Sequence, residues 1–218
     1  MKVIITGVTG MVGEGVLLAC LEDPEVASVL AVARKPSGHT HPKLKELLVP
    51  DFARLDGLEA GFTGYDACFY CAGVSSVGMS EADYTRVTYD TALAFARTLA
   101  ELNPGMVMNH VSGAGTDGTG KGRVMWARVK GRAETALAQL PFKRVHNYRP
   151  GLMLPMAGQQ HVKRSFRLLL GFAPLLALVF PVLTLKQVAR AMINATHGRG
   201  APKPVLEAAD IAALAAAS

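Results

Sequence analysis

Thr6-Gly7-Val8-Thr9-Gly10-Met11-Val12-Gly13 follows an apolar run, Lys2–Thr6, and opens a helical pattern, Met11–Glu22. Three glycines at this spacing, between a strand and a helix, are what a phosphate-binding turn requires. Gly7 permits the tight turn, Gly10 lets the backbone approach a pyrophosphate, and Gly13 allows the helix to pack closely on the sheet. The helix N-terminus then presents free N–H groups and the positive end of its dipole to the phosphates. The stretch predicts a dinucleotide site contacted by Thr6, Gly7, Thr9, Gly10, Met11, Val12 and Gly13.

On either side of this turn, β-rich apolar runs alternate with helical patterns, the mark of βαβ units and a parallel sheet. Strands are expected at Lys2–Thr6, Val29–Ala33, Val49–Phe52 (a weak one), Asp66–Ala72, Met106–Ser112 and Arg144–Arg149. Helices are expected at Met11–Glu22, Pro42–Leu48, Ser80–Leu102 and Val124–Leu140. The expected fold is α/β: a Rossmann-like, doubly wound parallel sheet with helices on both faces over residues 1–151. A small C-terminal helical appendage, 152–218, packs on the same domain, with a helix at Leu185–Thr196, an edge strand around Val205-Leu206 and an Ala-rich final helix.

The appendage carries a basic segment, His161–Arg167, and an uncharged run, Leu168–Leu185. Eighteen uncharged residues reach the length at which a membrane span is considered, but Gly171, Pro174 and Pro181 would break such a helix. Two readings stay open: a pair of short helices roofing a substrate pocket, or a peripheral membrane or protein contact through 161–185.

The net charge is +6 with 18% charged residues. That excess suits an anionic partner such as a phosphorylated cofactor, and no nucleic-acid-binding module accompanies it. The N-terminus enters a strand without a leader-like run, and three cysteines make no disulfide framework, so a cytoplasmic protein is expected. Cys68 and Cys71 spell C-x-x-C, but in a strand side chains three apart point to opposite faces, which disfavours a redox pair. His39 and His41 have a metal-like spacing without a nearby third ligand, so no metal is expected. His110, inside an apolar strand, reads as a satisfied core histidine.

About 20 residues beyond the glycines, where an acid would take the ribose hydroxyls of NAD, the sequence has Arg34 and Lys35. Two cations there suit a 2′-phosphate, so NADP is the expected cofactor with NAD as the alternative. Asp51, with Phe52 beside it, is expected at the adenine. Cys71, Ala72 and Gly73 are expected along the adenosine ribose, where small residues permit close approach.

With the glycine turn, Cys71-Ala72-Gly73, Ser112 and Arg149-Pro150-Gly151 assembled, the chain from Met1 to about Gly151 resembles the short-chain dehydrogenase/reductase superfamily. The likeness falls in its extended and atypical branches of NAD-dependent epimerase/dehydratase and nucleoside-diphosphate-sugar epimerase type, and is greatest to small proteins related to the human Tat-interacting protein. The resemblance implies proton transfer by a serine ending the fifth strand and a Tyr-x-x-x-Lys on the next helix. Ser112 matches the serine and Lys130 the lysine, and Pro150 and Gly151 fall beside the cofactor. The tyrosine slot holds Trp126, which donates a hydrogen bond but does not ionise in the relevant range. Tyr89 is a weak substitute acid.

Two functions are compatible with these residues. One is an oxidoreductase or epimerase-like enzyme acting on a small carbonyl or hydroxyl compound. The other is a dinucleotide-binding regulatory or scaffold protein without turnover. Either is expected as a monomer or homodimer.

Overall fold

The computed structural model describes residues 1–162, 181–200 and 202–217. Among these, β1 (Lys2–Thr6), β2 (Ser28–Ala33), β3 (Leu44–Leu48), β4 (Ala67–Tyr70), β5 (Val107–Val111), β6 (Arg144–Arg149) and β9 (Val205–Glu207) form one sheet in the order β3-β2-β1-β4-β5-β6-β9. Every adjacent pair is parallel. The chain winds outward from β1 to β3 and then returns to β4, so the topological switch point lies between β1 and β4, beyond Thr6 and Tyr70. A second, two-stranded parallel pair joins β7 (Leu152–Leu154) to β8 (Val182–Thr184).

Both faces of the sheet are covered. Along β1 the side chains alternate, Val3 and Ile5 into one buried cluster and Ile4 into the other. The first cluster packs beneath α1 (Met11–Glu22), α5 (Leu185–His197) and α6 (Ala208–Ala215). The second holds Phe95 and Leu99 of α3 (Thr91–Leu102) and Leu137 of α4 (Met125–Leu137). A strand buried on both sides reads as a continuous apolar run, which is why β1, β2 and β4 stand out in the sequence. Residues beyond 151 share this core: Val188, Met192 and Ile211 lie in the same cluster as Val3 and Val16, and β9 extends the sheet edge.

Three expectations are corrected. Leu44–Leu48 is the edge strand β3 and not part of a helix at Pro42–Leu48. The spacing of Leu44, Leu47 and Leu48 imitates a helical face, but pairing with β2 from Val29↔Leu44 to Ala33↔Leu48 prevails. The weak strand at Val49–Phe52 is therefore a turn that follows the third strand. The single helix at Ser80–Leu102 is also interrupted: α2 (Glu81–Thr85) passes through a π turn at Arg86–Asp90 before α3 begins.

Most of the Leu168–Leu185 run, and all but the start of the basic His161–Arg167 segment, lie outside the described residues. Among the described residues no helix is long and apolar enough to cross a membrane.

Candidate functional site

The glycine turn sits at the switch point, and the chain itself makes it rigid. Thr6 is fully buried, and its Oγ1 accepts hydrogen bonds from the backbone N–H groups of Cys71 and Ala72, each at 3.1 Å. These two bonds fasten the end of β1 to the loop after β4. Gly7 has φ 72°, and a Cβ there would stand 2.6 Å from the Cys71 carbonyl oxygen. A Cβ at Gly13 would collide with the carbonyl of Gly7. Gly7 and Gly13 are thus required by the backbone's own packing.

Gly10 is different. Its Cβ direction meets only the Gly7 carbonyl oxygen, at an ordinary 3.5 Å, and a Cβ at Gly73 would meet nothing within 4 Å. Neither position is blocked by the chain itself, which leaves room for the close approach of a ligand. Gly10 caps α1 without a side-chain hydrogen bond, and the first helical bond runs from Glu14 N to Gly10 O at 2.9 Å. The N–H groups of Met11, Val12 and Gly13 are left without helical partners, the donor set that receives phosphate oxygens. Thr9 and Gly10 are exposed at the tip of the turn. The cradle fits a dinucleotide pyrophosphate.

Arg34 and Lys35 follow β2 directly and are exposed. Among the described residues neither side chain makes a hydrogen bond or ion pair. Asp51 stands three residues past the end of β3, and its Oδ1 caps a turn by accepting from Ala53 N at 2.9 Å. Phe52 turns inward, its ring 5.3 Å from that of Phe95. Asp51 and Phe52 therefore lie in the turn after the third strand and not within it.

Ser112 and Lys130 come together at the end of β5. Ser112 N donates to the Tyr148 carbonyl at 2.7 Å, which ties it to β6, while its Oγ lies 3.1 Å from Thr116 Oγ1. From α4, the Lys130 ammonium donates to the Ser112 carbonyl at 3.3 Å. Burial lowers the Lys130 pKa from its usual value, opposed by the Glu134 carboxylate one turn on. Ala114 N donates to the Pro150 carbonyl at 3.2 Å, which brings Pro150 and Gly151 beside the same loop.

Trp126 lies one turn before Lys130. A Cβ on Gly115 would stand 3.6 Å from Trp126 Cη2, so the indole runs along the Gly113–Gly122 loop. Tyr89 is elsewhere: the Arg132 guanidinium carbon lies 5.8 Å from the centre of its ring. Because residues two apart on a helix do not share a face, Tyr89 meets a different side of α4 from the one that carries Lys130.

The cysteines and the histidines lie away from Ser112 Oγ in their hydrogen bonding. Burial pushes the Cys71 thiol up to about 12 and the Cys68 thiol well above its usual value, so neither is a ready thiolate. His110 is buried with Nδ1 2.9 Å from Asn147 Oδ1, and desolvation, followed by the nearby Lys130 charge, brings its pKa to about 4. His41 accepts from Lys43 N at 3.2 Å within its own turn, whereas His39 reaches Glu14 at 2.9 Å. Glu14 gives no sign of this role in the sequence, since its partners are 25 and 147 residues away.

Sequence and structure comparisons agree with the geometry. A curated relative, protein HTATIP2 of Rattus norvegicus, is 27% identical over 155 residues, covering 70% of this chain, and the chain spans 63% of that relative's length. Among solved structures, MoeE5 in complex with UDP-glucuronic acid and NAD superposes with a TM-score of 0.70 at 18% identity, over 95% of this chain and 76% of that one. The Bordetella bronchiseptica enzyme WbmF in complex with NAD+ gives 0.67 at 18% identity, over 98% and 76%. At these identities the superpositions establish the fold alone. The NAD dependent epimerase/dehydratase family matches residues 3–122, from β1 through the loop after Ser112, and the chain belongs to that family.

Proposed function

We propose that the chain binds NADP(H), with NAD(H) as the weaker ligand, and acts as a short-chain dehydrogenase/reductase-like oxidoreductase or epimerase on a small carbonyl or hydroxyl compound. The observation that carries this reading is the meeting of Ser112 and Lys130 at the end of β5, two strands from the glycine turn. Neighbouring strands are about 4.8 Å apart, so the ends of β1 and β5 are separated by about 10 Å, within reach of one extended dinucleotide. The NAD complexes of MoeE5 and WbmF support a nicotinamide dinucleotide here. Bound, the nicotinamide supplies hydride transfer.

The chain's own residues do the rest. Ser112 Oγ polarises the substrate oxygen, and Lys130 holds the nicotinamide ribose. Trp126 stands where the resemblance calls for an ionisable phenol, so the usual proton carrier is missing. That substitution favours a second reading, a dinucleotide-binding protein that senses or scaffolds without turnover.

Arg34 and Lys35 are assigned to the 2′-phosphate, supported by their exposure and their lack of partners among the described residues. Parallel titrations with NADPH and NADH test this. A charge-assisted hydrogen bond contributes about 1.5–3 kcal/mol, so NADPH is expected to bind about tenfold or more tightly, and Arg34→Ala to remove most of the gap. Equal affinities of the wild type would overturn the assignment.

A further inference from the structure

Three chain segments meet at one buried carboxylate just beyond the glycine turn. Glu14, in the first turns of α1, is fully buried. Its Oε1 is approached by Gln160 N at 2.6 Å, His39 Nε2 at 2.9 Å and His161 Nδ1 at 3.1 Å. Its Oε2 accepts from His161 N at 2.8 Å and from Gln159 Nε2 at 3.3 Å. Although His161 Nδ1 is buried and close to the carboxylate, it lacks the geometry of a hydrogen bond. A buried ring nitrogen left in this way needs another partner.

One carboxylate oxygen and two imidazole nitrogens, all within 4.8 Å of one another, make up the donor set of a His₂–carboxylate zinc centre. Around a tetrahedral Zn²⁺ with bonds of about 2.0–2.1 Å, donor atoms stand about 3.3 Å apart. The 2.9 and 3.1 Å separations from Glu14 Oε1 need to open by a few tenths of an ångström, and the two ring nitrogens, within 4.8 Å of each other, need to settle at the same spacing. Outer support is already built, because the backbone N–H groups of Gln160 and His161 hold the carboxylate in place. Two nitrogen ligands disfavour Mg²⁺ and Ca²⁺, which prefer oxygen.

We propose that Glu14, His39 and His161 form a binding site for Zn²⁺ or a similar borderline divalent transition ion, with a fourth position for water. The ion ties the chain after β7 to the helix that begins at Gly10 and to the loop that follows Arg34 and Lys35. Metal and dinucleotide therefore act on shared elements.

The test is calorimetric titration of the chelator-stripped, full-length protein with Zn²⁺, with Co²⁺ absorption as an independent report of tetrahedral coordination. One saturable ion per chain and a tetrahedral Co²⁺ spectrum are expected. Losing an outer partner of a ligand already costs about 10–100-fold in affinity, so His39→Ala and His161→Ala should each lose more than about 100-fold. His41→Ala, two residues from His39, should lose nothing. The wild-type stoichiometry and Co²⁺ spectrum need no variant, and circular dichroism checks that the variants are folded. Absence of saturable binding, or binding that neither His39→Ala nor His161→Ala weakens, would overturn the proposal.

Discussion

Purified protein saturated with NADPH is expected to reduce a broad panel of aldehydes and ketones at well under about 1 s⁻¹, below the range of ordinary enzymes. Lys130 reaches the Ser112 carbonyl at 3.3 Å, so the cation that would lower a neighbouring phenol's pKa is in place. Trp126, which the resemblance puts in the slot for that phenol, neither gives nor takes a proton in the required range. General acid/base catalysis contributes about 10²–10⁴-fold, and that factor is what the proposed substitution would remove. Positioning alone leaves a slow, measurable rate. Trp126→Tyr is expected to raise it where the smaller ring still meets the Gly113–Gly122 loop. Steady-state turnover of the wild type at or above about 1 s⁻¹ on any carbonyl compound would show that another group supplies the proton.

The second large effect concerns the support beneath Lys130. Glu134, one turn further along α4, receives a two-point hydrogen bond from Arg149, Nε to Oε1 at 3.0 Å and Nη2 to Oε2 at 2.6 Å. The side chains are 14% and 5% exposed for Arg149 and Glu134 respectively. This pair locks α4 to the end of β6, just before Pro150. Removing one partner of a buried pair costs about 3–5 kcal/mol, because the survivor keeps an uncompensated charge. Glu134→Ala is placed at the lower end, about 3 kcal/mol, since Arg149 retains Glu207 at 3.1 Å. At about 2–4 °C per kcal/mol for a domain of this size, the Tm should fall by about 6–12 °C. A thermal melt shifted by less than about 2 °C would mean that the pair is not holding the two elements together.

What could be read in the sequence follows from how local each signal is. β1, α1 and β6 have the expected boundaries, because strand, turn chemistry and helix start lie side by side in the chain. β3 was not legible: a five-residue, half-exposed edge strand has too little apolar pattern to outweigh the helical spacing of its leucines, and only its pairing with β2 defines it. β7 and β8, three residues each, have no period to detect. The same distinction divides the site. The three glycines were legible together. The pairing of Ser112 with Lys130, 18 residues apart, rests in the sequence on family resemblance rather than on spacing. The convergence of Glu14, His39 and His161 was hidden, because a short polar side chain on a helix announces nothing about partners delivered by two distant loops.

The Thr6–Gly13 turn at the switch point is the dinucleotide site on which every proposed role depends. Calorimetric titration of the purified chain with NADPH tests it most directly. One molecule is predicted to bind per chain with a Kd of micromolar order, about −8 kcal/mol. Gly13→Ala, whose Cβ would collide with the Gly7 carbonyl, should abolish that binding. Failure of both NADPH and NADH to saturate the folded wild-type protein at about millimolar concentration would contradict it.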